Sequence, residues 1–596
     1  MKKLFFFSLK LIVPILCVIS VFGITNCTKP SQKPKNDTEI QSISKAVFLE
    51  QILDFEASLK ILKASNHQAE AQELYPEVFQ SFKRFGFLLE YFDASLYNIF
   101  NGAPIAKEDA GNPYPNVIPP KGLQVIAEIV YNDSFDLDEL KTQINWLIYQ
   151  LKFVREIAES IDFNAQMIYQ AIEQHTIRFE TLSMSGFDNA TLQNEFQYLA
   201  NELDALNHYL SLVAEKHYRL EIKYDSTLVT NKLQFLKEKW YPFKRQLSER
   251  TAYEPTISPI RYQYSNIYDA QFLNASFFSK NGMVETTSED KLKLGKMLFN
   301  DPLLSNKTVS FSCATCHLPE RFFMDGLPLG KSNFAGLELM RNTPTLIHAA
   351  YQSKLMYDGR ANSLEEQMLH VFRNDKEFKT NLTEMITAIE GQETYQQSFK
   401  GIYPEMTPNA INLYSITDAM ATYVRSLDGH QSAFDQYMSG EIDFLDTDAL
   451  KGFNLFMGKA KCGTCHFAPT FSGLLPLLFV DSEFENLGVP GNIENGTWTK
   501  DFDLGRYQFY ANDKFKHFFK TSTIRNVEHT APYMHNGVFK TLEEVMAFYN
   551  EGGGVGHGLD YPNQTLSADV LGLTEVEMQQ IIAFMKSLTD KRYLEY

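Results

Sequence analysis

Apolar residues recur at intervals of three and four over most of residues 46–260, the spacing that lines one face of an α-helix. Phe48, Leu49, Ile52, Leu53, Leu59 and Leu62 begin the pattern. It returns around Phe79–Phe100, Leu140–Ile177, Leu192–Leu212 and Lys216–Trp240. Breaks fall at the Pro- and Gly-rich 111–122 and at Ser183–Asn189. The pattern predicts a bundle of five or six long helices. Residues 250–285 are a mixed connector rich in Tyr, Asn and Ser. Beyond it, short helix signals at Asp290–Phe299 and Asp446–Phe456 each precede a cysteine-bearing stretch. This duplicated layout predicts two related, mostly helical lobes, 285–445 and 446–596.

The first 45 residues follow a different pattern. Lys2 and Lys3 precede an apolar stretch, Leu4–Ile24, interrupted early by Ser8 and Lys10. That is the layout of an export signal. The stretch ends at Ile24-Thr25-Asn26-Cys27, a lipobox-like sequence with an atypical Asn before the cysteine. Residues 1–27 are read as a signal with Cys27 as the lipidation site. A plain signal peptide and an uncleaved anchor helix are the alternatives. Residues 28–45, polar and Pro-containing, are read as a tether to the first domain. The expected location is the bacterial cell envelope, periplasmic side, anchored to the membrane at Cys27.

At 596 residues the chain exceeds what one core organises, and two to four domains are expected. Its net charge of −18 argues against nucleic acid, whose phosphates would repel it. The same charge suits a basic partner, such as a small electron-carrying cytochrome.

The chemistry concentrates in Cys313-Ala-Thr-Cys316-His317 and Cys462-Gly-Thr-Cys465-His466. Each is a C-x-x-C-H site, the pattern for covalent attachment of a c-type haem. Two cysteines three apart on a tight turn can each form a thioether to one porphyrin, and the next residue then places its imidazole beneath the iron. A four-cysteine zinc site is the alternative, and it leaves both histidines unexplained. The cysteine count closes on haem: Cys17 leaves with the signal, Cys27 carries lipid, and the other four hold two haems. The expected fold is therefore mainly α, an N-terminal helical bundle followed by two cytochrome c-like haem lobes. His67, His175, His208 and His217 in the bundle have no ligand-like pairing and are read as surface or core residues.

Residues 290–590 resemble the bacterial di-haem cytochrome c peroxidases and their MauG-type relatives. The resemblance rests on stretches in the family's order: Leu294-Gly-Lys-Met-Leu-Phe-Asn-Asp, the first haem motif, Arg341-Asn-Thr-Pro-Thr, Asp358-Gly-Arg, the second haem motif, Asp503-Leu-Gly-Arg, Ile524-Arg-Asn-Val, Thr530-Ala-Pro-Tyr-Met-His-Asn-Gly, Thr541-Leu-Glu-Glu-Val and a final Leu573-Thr-Glu helix. It implies a peroxide-reacting first haem on His317 and a second, electron-transferring haem on His466. It implies a distal pair, Gln367 and Glu377, at the family's ten-residue spacing. Glu377 read alone is a solvated charge in Asn-Asp-Lys-Glu. A base beside the iron would move a proton between the two peroxide oxygens.

The resemblance also implies an axial ligand for the second haem at Tyr549, seventeen residues after Pro532, with Met534 as the alternative. The family's loop after the first motif often carries a blocking histidine, and Asp325–Met340 has none. The expectation is thus an open, five-coordinate first haem, with His348 and His370 nearest and His370 the outside candidate ligand. Where the family has an inter-haem Trp, this chain has Tyr357, whose oxidation normally requires proton loss. One calcium is implied between the lobes, held by Asn342, Thr530 and Pro532.

Three functions compete at this point. The leading one is a di-haem peroxidase reducing hydrogen peroxide to water with electrons from a small cytochrome or other redox donor. A close variant is a MauG-like, peroxide-dependent oxidase of a protein or small molecule. The third is a di-haem electron carrier without peroxide turnover. The sequence does not choose an oligomeric state, and a homodimer is kept among the expectations.

Overall fold

A computed structural model describes residues 37–104, 107–108, 117–189, 195–213, 232–249, 251, 258–278, 288–305, 311–332, 334 and 337–595. The signal segment, Cys27 and His217 lie outside the described residues. The chain is mainly helical, and its described strands form three two-stranded antiparallel pairs, 107–108 with 117–118, 484–485 with 519–520, and 490–494 with 497–500.

The N-terminal helices are Asp37–Lys63, Gln68–Phe92, Ala94–Asn101, Leu123–Tyr131, Leu137–Ser160, Ala165–Thr181 and Glu195–Val213. Lys232–Phe235 then runs through a π-helical turn, Leu236–Trp240, into Tyr241–Ser248. In the first helix Phe48, Ile52, Phe55, Leu59 and Leu62 are buried, a strict four–three alternation. Burying each contributes about 1.5–3 kcal/mol relative to exposure. Leu53 falls off this face and is 57% exposed, so the apolar stripe is narrower than the sequence pattern suggested.

The tether reading is corrected at its C-terminal end. Helix begins at Asp37 because Ile40, Ser44 and Phe48 continue the buried face two turns upstream, and Gln41 donates to Asp162 at 2.7 Å. The bundle histidines are structural where described. His67 caps the second helix by accepting from Glu70 N, His175 is buried with Nε2 2.6 Å from Glu202, and His208 is exposed.

The two lobes repeat one device. In the first, helix Glu289–Phe299 packs on Leu413–Arg425 through Gly295, where a Cβ would lie 2.0 Å from the Ala419 carbonyl oxygen. In the second, Thr447–Phe456 packs on Glu575–Ser587 through Gly452, where a Cβ would lie 1.9 Å from the Gln580 carbonyl oxygen. Only glycine lets the backbones approach this closely.

The cores divide differently from the chain. The first lobe has its own apolar cluster, built on residues such as Leu298, Phe372, Ile389 and Met420. The N-terminal bundle and the second lobe share another, running from Phe48 and Phe82 through Trp240 and Tyr268 to Phe453 and Phe584, with Phe434 and Met438 from the end of the first lobe joining it. Among the described residues, no helix is long and apolar enough to cross a membrane.

Candidate active site

Both C-x-x-C-H motifs form 3-10 turns, Cys313–Thr315 and Cys462–Thr464. Ser312 and Thr315 cap the first reciprocally, and Lys461, at φ 56°, bends the chain into the second. The four motif cysteines form no disulfide with one another. Burial pushes Cys313 and Cys462 up to about 12 and Cys316 to about 11, and raises Cys465 well above its ordinary value.

Each motif histidine is oriented the same way. His317 Nδ1 lies 2.9 Å from the Phe323 carbonyl oxygen and His466 Nδ1 lies 3.3 Å from that of Phe471. A carbonyl can only accept, so Nδ1 carries the proton and Nε2 keeps its lone pair for a metal. Phe323 and Phe471 both take left-handed backbone, at φ 56° and 47°, which turns their carbonyls back toward the rings. Burial lowers both histidines, His466 to about 4, so each imidazole is neutral at physiological pH.

The two motifs open into one continuous cavity of about 1570 Å³, larger than the roughly 300–1,000 Å³ of an ordinary small-molecule pocket. Gln367, Glu377, Tyr357, Tyr549, Met534, Asn342, Thr530 and Pro532 all line it. Gln367 projects from helix Leu364–Arg373, whose N-terminus Ser363 caps. Glu377 follows in a turn, where Asn374 Nδ2 donates to its Oε2 at 2.6 Å. The Glu377 carboxyl is near enough to Cys313 and Cys316 to influence both. Burial raises its pKa, and the Asn374 hydrogen bond and the Arg360 charge pull the other way. It is not the solvated charge that Asn-Asp-Lys-Glu suggests in isolation.

Tyr549, on helix Leu542–Asn550, stands near Cys465 and Cys462, and burial and these neighbours raise its phenol. Its hydroxyl has no hydrogen-bond partner among the described residues. Met534, at φ 72°, belongs to the same small apolar cluster, so the structure brings both ligand candidates to one cavity. Tyr357 is half-buried, and its hydroxyl donates to Asn342 Oδ1 at 3.3 Å. His348 and His370 do not line the cavity; His348 is buried edge-on to His430 instead, ring centroids 4.5 Å apart. His535 is the one further lining histidine among the described residues, and its Nε2 is engaged by Asp501 at 2.6 Å.

Several motifs quoted from the sequence prove to be clamps around this cavity. Arg341 donates from Nε and Nη2 to Asp503 at 2.6 and 3.0 Å and from Nη1 to Asp358 at 2.7 Å. It thereby joins the Arg-Asn-Thr-Pro-Thr, Asp-Gly-Arg and Asp-Leu-Gly-Arg stretches across the lobes. Arg525, fully buried, pairs with Asp435 through Nη1 and Nη2 at 2.8 and 2.9 Å.

The matching family model is the di-haem cytochrome c peroxidase model, over residues 289–443. The chain is 32% identical over 324 residues to cytochrome-c peroxidase IdrP1 of Denitromonas iodatirespirans, covering 50% of this chain and 81% of that protein. The chain belongs to the di-haem cytochrome c peroxidase family. It is also 31% identical to methylamine utilization protein MauG of Methylorubrum extorquens, over 50% of this chain and 78% of that one. The crystal structure of a MauG-like protein associated with microbial copper homeostasis aligns with 26% identity and a TM-score of 0.44, covering 52% of this chain and 91% of that one.

As a di-haem peroxidase, the chain is an oxidoreductase with two c-type haems, hydrogen peroxide as oxidant and a redox donor. The four-cysteine zinc alternative is set aside. The residues present fit the group. Besides thiols and imidazoles, the cavity holds Lys520, half-buried, with no carboxylate within 4 Å among the described residues and only the more distant Asp358 charge acting on it. Its Nζ donates to Gln352, and burial lowers it to about 7. Such a charge is costly to bury alone, and the carboxylates that a haem carries would compensate it. Sequence reasoning missed Lys520; the signal was a lone cation in the otherwise uncharged run Phe518–Ile524.

Proposed function

We propose that this peroxidase reduces hydrogen peroxide at the first haem, held by Cys313, Cys316 and His317, with electrons passing through the second, held by Cys462, Cys465 and His466. The observation that carries the reading is the single cavity joining both motifs, with Glu377 close to the first and Tyr549 close to the second. When bound, the haems supply an iron that binds peroxide and a path for the two electrons that reduce it.

Glu377 and Gln367 do the acid–base and positioning work. The Glu377 carboxylate takes the proton from the inner oxygen of hydrogen peroxide and returns it to the outer one. The outer oxygen then leaves as water when the O–O bond breaks. Two electrons and two further protons complete the conversion to two waters. Gln367 orients the peroxide through its amide, and Asn374 fixes the carboxylate by holding Oε2. Mobile protons near neutral pH are what a carboxyl raised by burial provides.

Tyr549 is proposed as the second axial ligand, with Met534 the alternative. A phenolate stabilises ferric iron, whereas a thioether favours ferrous. Tyr357 is proposed as the inter-haem relay. Its phenolic proton rests on an amide carbonyl, a poor base, so Tyr357 relays charge slowly and does not support the fast charge sharing between haems of a MauG-like enzyme. That favours the reduction of peroxide over the MauG-like oxidation of a distant substrate, although the unpartnered Tyr549 hydroxyl favours the latter. A calcium ion at Asn342, Thr530 and Pro532, a lipid anchor at Cys27 on the periplasmic side and a small cytochrome as donor complete the proposal. So does the division into a helical domain (46–260, here from 37), a first haem domain (285–445) and a second (446–596). Steady-state turnover of peroxide with a reduced small cytochrome tests the reading. Loss of turnover in Glu377→Gln with both haems retained supports it, and unchanged turnover refutes it.

A further inference from the structure

The sequence break at Ser183–Asn189 has no role in the chemistry above, yet it lines the haem cavity. Met184, Ser185, Gly186 and Asn189 of the N-terminal bundle form part of the wall beside Cys462, as does Lys232. The contacts are close and specific. A Cβ on Gly463, inside the haem motif, would stand 3.0 Å from Ser185 Cβ. Phe187 meets Phe467, the residue after the axial histidine, edge to face at 5.4 Å. Lys232 Nζ donates to the Met184 carbonyl at 2.7 Å and also to the Met457 carbonyl, and Lys232 N donates to Asn454 Oδ1 at 3.0 Å. One lysine thus staples the loop to the end of the helix that leads into the second motif.

The loop is also braced from behind. Asp188, fully buried, accepts from Ser183 Oγ at 2.7 Å and Lys83 Nζ at 2.6 Å, and from Arg178. Asn189 Nδ2 donates to the Tyr75 hydroxyl at 2.9 Å. A segment fixed on its own domain by buried charges, and pressed against the haem turn of another, is a preformed surface.

We propose that the N-terminal helical domain is a resident cover for the second haem: its Met184–Asn189 loop, stapled by Lys232, closes the Cys462 edge against water and against a docking protein donor. A protein donor then reaches the second haem only by a route other than the Cys462 edge. The proposal rests on the second motif holding a haem; the assignment of that haem as the electron-accepting one enters only the kinetic part of the test.

The test uses the haem-loaded full chain with Phe187→Ala and Lys232→Met. Both loosen the cover and leave the cavity's own ligands in place. Solvent exposure stabilises the more charged ferric state, so the second haem's midpoint potential should fall while the first haem's stays. Its reduction by a small ferrocytochrome c should speed up several-fold, while reduction by a small inorganic reductant changes little. Unchanged potentials and unchanged donor rates in both variants overturn the proposal. Should the variants fail to fold, the native holoprotein still decides. Amide hydrogen exchange over residues 184–189 then reads the cover directly: exchange as slow as in the flanking helices supports a closed edge, and exchange at the rate of an open loop overturns it. Absent peroxide turnover with the potential shift intact would instead count against the proposed function and leave the cover standing.

Discussion

Replacing Glu377 with glutamine isolates the proton-transfer step. The side chains are nearly isosteric, and the amide can keep the Asn374 contact at Oε2 by presenting its own oxygen. The fold should therefore change little. What disappears is the basic carboxylate, and a positioned general base contributes about 10²–10⁴ in rate. At about 1.36 kcal/mol per tenfold, that is roughly 3–5 kcal/mol of barrier. The pH dependence supplies a second, independent reading. Burial raises the Glu377 pKa, and the carboxyl must be ionised to accept the peroxide proton. In the native protein kcat/KM for peroxide should thus fall as pH drops through that raised pKa. In Glu377→Gln this acid limb should vanish along with the rate. In Asn374→Ala the limb should move to higher pH, because the hydrogen bond that favours the charged carboxylate is lost. Stopped-flow peroxide kinetics from pH 4 to 8 measure all three profiles. An acid limb that survives in Glu377→Gln, or does not move in Asn374→Ala, would refute Glu377 as the base.

Further consequences follow from the same geometry. Tyr549→Phe should change the low-spin EPR signal of the second haem and raise its potential, whereas Met534→Leu should leave both alone; the reverse pattern would make Met534 the ligand. Asp435→Asn leaves the buried Arg525 guanidinium unpaired and should cost about 3–5 kcal/mol, read by denaturant unfolding of the holoprotein. Gly452→Val drives its side chain into the Gln580 carbonyl and should prevent the second lobe from holding haem, seen as one covalent haem instead of two on a denaturing gel.

Much of this site was legible because its chemistry dictates spacing. Thioether attachment requires cysteines three apart and the histidine next to them, so Cys313–His317 and Cys462–His466 announced themselves. Gln367, Glu377 and Tyr549 were reachable only through the resemblance, since a single glutamate or tyrosine on a helix has no distinguishing local signal. Helix existence was legible too, from the three–four period. Its boundaries and exact face were not: Leu53 satisfies the spacing and is exposed, and helix extends back to Asp37 through polar residues whose partners lie more than 100 positions away. The same limit explains the shared core of the bundle and the second lobe. Nothing local in Ser183–Asn189 says that it meets Cys462, because that contact depends on the packing of segments nearly 280 residues apart. Lys520 shows the converse. Its oddity in an uncharged run was visible, but its meaning required knowing that the strand borders a haem cavity.

The central claim is two haems in unlike states, one open to peroxide and one closed by two axial ligands. An EPR spectrum of the oxidised protein, taken before and after one equivalent of hydrogen peroxide, tests it most directly. The account predicts a high-spin ferric signal beside a low-spin one, with the high-spin signal lost on adding peroxide. Two low-spin signals indifferent to peroxide would contradict it, and would leave an electron carrier or an enzyme that must first be reduced.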